Sequence, residues 1–78
     1  MMYTIEMIEE MNVLTLFDLS NHQEGIKVHK TAEDNTVEAT GRLYAKGLVT
    51  QKDGGYLTEL GLDAAEHAQS LLTILTTP

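Results

Sequence analysis

Residues 41–61, GRLYAKGLVTQKDGGYLTELG, constrain what this chain can fold into more than any other stretch. Arg42 to Lys46 read as the end of a helix, and Gly47 stops it. Residues 48–52 have the composition of a strand. Asp53, Gly54 and Gly55 then supply the positive φ values that a tight hairpin turn needs, and Tyr56 to Thr58 return along the ribbon. A further helix opens near Thr58. Helix, two-stranded ribbon and helix within about twenty residues leave few folds to choose from.

The rest of the chain can be placed around that spine. Residues 5–19 predict a first helix, with Thr4 as its N-cap and Tyr3 and Ile8 placed as a hydrophobic staple. Ile5, Met7, Ile8, Met11, Val13, Leu14, Leu16, Phe17 and Leu19 spread apolar character around most of its circumference. Such a helix needs more than one partner surface. The polar run 20–24, with Gly25 behind it, predicts its stop. Residues 26–29 alternate apolar and polar, a short strand signal. Thr31 and Asn35 then offer two overlapping helix starts. They predict either one turn at 31–35 followed by a helix at 36–46, or one helix throughout. Val37, Gly41, Tyr44 and Leu48 define its expected buried face, with Gly41 there for a close backbone approach. Asn35, Ala39, Arg42 and Lys46 are expected on the opposite side. In the last helix Leu60, Ala64, Ala65, Ala68, Leu71, Leu72 and Leu75 share one face, Thr58 is the cap, and Ile74 falls off that face. The expected class is mainly α with a small antiparallel β-ribbon, an α+β arrangement in a single domain over residues 1–78.

At 78 residues without cysteine, neither a disulfide nor a cysteine zinc site can staple a small core. Self-association is the remaining route to extra burial, which makes a homodimer the expectation. Its candidate interface is Met7, Met11, Leu14, Leu71 and Ile74, from the first and last helices. No apolar run approaches the about eighteen residues of a membrane helix, and no basic n-region precedes an apolar stretch. A soluble, cytoplasmic protein is expected.

The net charge of −7 opposes general nucleic-acid binding, which needs Lys and Arg against phosphate. The distribution is uneven, however. Lys27, Lys30, Arg42, Lys46 and Lys52, all five bases, lie within residues 27–52, where they outnumber three acids. A positive face on an acidic body is one reading; a solvated surface with Glu38 paired to Arg42 four residues on is the other.

Leu43-Tyr44-Ala45-Lys46-Gly47-Leu48-Val49 and Gly55-Tyr56-Leu57-Thr58-Glu59-Leu60-Gly61 resemble the segments that end the recognition helix and close the wing in winged helix-turn-helix domains of the MarR, PadR and ArsR type. The resemblance implies a winged-helix order: helix, strand, short helix, recognition helix, strand, wing, strand and a fourth helix. It also implies a DNA-binding regulator, with Asn35, Ala39, Arg42 and Lys46 toward the major groove, Lys52 on the wing, and Lys27 and Lys30 nearby. Three departures stand against it. The helix before the recognition helix has room for one turn, Asp53 sits at the wing tip, and Glu33, Asp34 and Glu38 lie at the front of the recognition helix. The whole chain is also similar to a family of short gammaproteobacterial proteins of no assigned function, through Phe17-Asp18-Leu19-Ser20 and the segment 23–30.

No chemistry-bearing motif is present. His22, His29 and His67 are too far apart for a local metal site, and neither a serine elbow nor a phosphate loop occurs. The sequence predicts no enzyme, no cofactor, no metal and no small-molecule ligand. Two readings remain: a regulator that binds duplex DNA through residues 35–52, and an acidic winged-helix module for protein–protein contact or dimerisation.

Overall fold

Thr4 opens the first helix in the computed structural model, which describes residues 3–21 and 24–78. Its hydroxyl accepts from the Met7 N–H at 3.0 Å, and α1 runs Ile5–Leu14. This helix stops five residues short of the expected end. Thr15 Oγ1 turns back to donate to the Asn12 carbonyl, and the Gln69 side chain donates to the carbonyls of Leu14 (3.2 Å) and Phe17 (2.8 Å). With those acceptors satisfied from outside, the chain can leave the helix and still bury Phe17. Asp18 closes the exit by accepting from the Ser20 N–H and hydroxyl. The expected polar break at 20–24 includes His22 and Gln23, which lie outside the described residues.

The first strand, β1, is Ile26–Lys27, half the expected length. Between it and the next helix, the Ala32 N–H bonds the His29 carbonyl at 2.9 Å in a turn, so no second helix forms there. Three α-helices, not four, are therefore present among the described residues. The second, α2, spans Asp34–Ala45 and begins between the two expected caps, with Glu33 at the cap position and no side-chain bond from it.

The buried face of α2 is Ala39, Thr40 and Leu43, not the expected Val37, Gly41, Tyr44 and Leu48. Tyr44 is exposed, and Leu48 lies beyond the helix. A threonine can be buried here because its hydroxyl donates to the Thr36 carbonyl at 2.8 Å, one turn earlier. Gly41 consequently faces outward, and a Cβ built there meets nothing within 4 Å. Gly41→Ala should therefore raise stability by about 1 kcal/mol, the helix-interior cost of glycine. Chemical denaturation read by circular dichroism checks this.

Strands β2 (Val49–Gln51) and β3 (Gly54–Leu57) form the hairpin, and α3 (Glu59–Leu75) follows. The turn proper is Lys52-Asp53; both glycines lie inside β3 at φ +121° and +70°. They are there because β1 docks on them, Ile26 opposite Gly55 and Lys27 opposite Gly54. A Cβ on Gly54 would stand 2.8 Å from the Ile26 side chain. The result is a three-stranded antiparallel sheet in the order β1-β3-β2. Val13, Leu14, Phe17, Ala39, Leu43, Val49, Ala65 and Ala68 form the core between this sheet and the helices. Thr58 caps α3 as expected, accepting from the Gly61 N–H at 3.0 Å while its own hydroxyl donates to the Gly47 carbonyl at 2.6 Å. Among the described residues, no helix is long and apolar enough to cross a membrane.

Candidate functional site

Helix periodicity puts Glu6, Glu9 and Glu10 on one side of α1 and Arg42 and Lys46 on one side of α2. The two sides face each other. Arg42 Nε donates to Glu10 Oε2 at 2.7 Å, and Lys46 Nζ bonds the other carboxylate oxygen, Oε1. Arg42 also donates to the Glu6 carbonyl at 3.3 Å and lies 3.8 and 3.9 Å from the Glu6 and Glu9 carboxylates. Glu10 is only 7% exposed. Burial on its own pushes its carboxyl up, but the hydrogen bonds and charges of Lys46 and Arg42 outweigh it and hold the group below its ordinary value. The Arg42 guanidinium is raised in turn, chiefly by its hydrogen bond to Glu10.

The expected pair of Arg42 with Glu38 does not form; Arg42 reaches across to α1 instead. A signal for this existed in the sequence, since bases spaced four apart on one helix match acids spaced three and four apart on another. It was obscured by the nearer partner on the same helix. The outward side of α2 is left with Asp34 and Glu38, and with Gly41, Tyr44 and Ala45. It presents two carboxylates and no cation.

The five bases thus divide. Arg42 and Lys46 belong to the interhelical cluster. Lys27, Lys30 and Lys52 gather at one corner of the sheet, around two adjoining shallow hollows that share Val28, Lys30 and Asp53. None of these three lysines forms an ion pair among the described residues. Asn35 joins neither group; it lines a separate hollow with Glu9, Asn12, Leu16 and Glu33. Ala39, expected on the outward side, is fully buried in the core.

The candidate interface residues also separate. Leu14 is in the core, and Met7 and Met11 are half-buried on α1. Leu71 and Ile74 stand exposed on α3. His29 and His67 are exposed, His22 lies outside the described residues, and no group of three or more potential metal ligands occurs among the described residues.

A family model described as a family of unknown function, DUF5669, matches residues 1–76. The chain belongs to this family. No curated protein and no solved structure matches it. Membership in DUF5669 brings no activity with it.

Proposed function

We propose that this DUF5669 chain is a winged-helix-like protein-interaction module that does not read duplex DNA. The winged-helix part of this reading is supported by the element order and by the hairpin β2–β3 that follows α2 and pairs with β1 in one antiparallel sheet, with the usual second helix reduced to the turn at 29–32. The observation that carries the functional part is the pairing of Arg42 and Lys46 with the carboxylates of α1, Glu10 bonding both and Glu6 and Glu9 lying 3.8 and 3.9 Å from Arg42. A recognition helix works by projecting cations and amides into the groove. Here the two helical cations are spent on α1, and Asp34 and Glu38 take the outward positions, where they would meet phosphate.

The DNA-binding reading keeps one supporting feature, the corner of Lys27, Lys30 and Lys52. Three lysines without a helix to enter the groove give at most a weak, salt-sensitive contact to the backbone. A fluorescence-anisotropy titration with mixed-sequence duplex at low salt is therefore expected to show no saturable binding, and Arg42→Ala should leave the trace unchanged. Saturable binding that falls steeply with salt and is weakened by Arg42→Ala would overturn the proposal.

A further inference from the structure

Helix α3 carries two parallel seams. The inner one is Gly61, Ala65 and Ala68, buried against the rest of the domain, with Leu72 half-buried in line with them. The outer one is Leu60, Ala64, His67, Leu71 and Ile74, spaced four, three, four and three residues apart. That spacing is the heptad repeat of a helix that meets another helix along its length. Leu60 is 59% exposed, Leu71 46% and Ile74 67%, and Leu75 beside them is exposed as well. Ala64 is partly buried against the core, and the other four seam residues stand exposed among the described residues.

We propose that the outer seam of α3 is a self-association surface, on which a second copy of the chain lies antiparallel. This rests on the interaction-module reading and adds the partner and the surface. The charge distribution selects both. Glu59, Asp63 and Glu66 occupy the first half of α3, whereas residues 67–78 contain no Asp, Glu, Lys or Arg. On a chain of net charge −7, this is a surface that a second copy can approach without facing carboxylates. Parallel pairing would bring Asp63 and Glu66 of the two copies side by side. Antiparallel pairing sets the acidic half of each helix against the uncharged half of the other and opposes the helix dipoles favourably. The heptad register then layers Ala64 of one copy with Ile74 of the other, and His67 with Leu71.

The size of the strip sets the strength. In this register the two helices overlap over residues 63–75, which rise about 20 Å. A face that long and about 10 Å wide falls well short of the about 800 Å² per partner of a standard interface. The dimer is therefore reversible and concentration-dependent, and the polar His67 in the seam keeps it so.

Sedimentation velocity of the full chain, from micromolar to millimolar concentration, tests this. The unsubstituted chain should shift from monomer to dimer across the series. Leu71→Glu and Ile74→Glu, both at exposed positions that leave the fold intact by circular dichroism, should weaken association about ten-fold or more. His67→Leu should tighten it about ten-fold or more, by replacing a polar seam residue with an apolar one. The absence of cysteine allows an orientation test: a mixture of Ala64→Cys and Ile74→Cys chains should form the mixed disulfide in preference to either homodimer. A strict monomer at millimolar concentration overturns the proposal. So does a dimer indifferent to both glutamate substitutions, or a preference for Ala64→Cys homodimers. A DNA complex in the titration above would remove the interaction-module reading and leave these measurements to stand on their own.

Discussion

Gly61→Ala should cost this domain most of its stability. A Cβ built on Gly61 lies 1.8 Å from the Leu48 carbonyl oxygen and 2.8 Å from its carbon. Both are backbone atoms, so no side-chain rotation can relieve the overlap. The carbonyl cannot simply move either. It accepts from the Thr58 N–H at 3.1 Å, while Thr58 bonds the Gly47 carbonyl through its hydroxyl and caps α3 at Gly61. One methyl group would thus have to displace the first turn of α3 from the exit of α2. Overpacking a well-filled interior costs about 1–3 kcal/mol, and a backbone collision belongs at or above the upper end. A small core of this size supplies only about 3–5 kcal/mol. Urea unfolding should show a much lower midpoint for Gly61→Ala, whereas Gly41→Ala raises it. Stability equal to that of the unsubstituted chain would show that α3 does not dock this closely.

That pair of glycines shows where sequence reasoning succeeds and where it runs out. The N-caps at Thr4 and Thr58 are legible because each bond spans only three residues. The hairpin is legible because glycine chemistry and strand composition are local too. The role of Gly41 is not, since it depends on which face of α2 is buried. Val37 and Tyr44 suggest one face by size, but the docking of α1 buries Ala39, Thr40 and Leu43 instead. A small residue packs closer than a large one, and threonine can satisfy its hydroxyl within its own helix, so neither looks like core in a hydrophobicity pattern. Gly61 looks like an ordinary first-turn residue until Leu48 is placed against it. The fate of Arg42 is lost for the same reason. Its partner on α1 is 32 residues away, whereas Glu38 is four away on its own helix. The candidate DNA-facing set was therefore legible as a set of bases and illegible as a surface.

Glu10→Gln should lower stability by about 1–2 kcal/mol at neutral pH and flatten its dependence on pH in acid. Charge-assisted hydrogen bonds contribute about 1.5–3 kcal/mol where they are shielded from water. Glu10 itself is buried, but the side chains of Arg42 and Lys46 are 26% and 52% exposed, so solvent screens part of that gain. The sign with pH follows from the direction of the Glu10 shift. Its carboxyl titrates lower in the folded chain than the about 4.3 of an unstructured glutamate. Its contribution is therefore present in full above that value and is lost as pH falls through the folded value. Protonating the other carboxylates of this acidic chain relieves repulsion and acts in the opposite direction, so the unsubstituted chain alone does not isolate Glu10. The difference between the two chains does. Urea midpoints should lie furthest apart at neutral pH and converge in acid. A gap that stays constant down to low pH would mean that glutamine perturbs packing, and that the carboxylate is not what joins α1 to α2. Convergence would place the join on the charge of Glu10. The same carboxylate holds the Arg42 Nε and the Lys46 ammonium, so on the reading proposed above the interhelical clasp and the absence of a DNA-reading face have one physical cause.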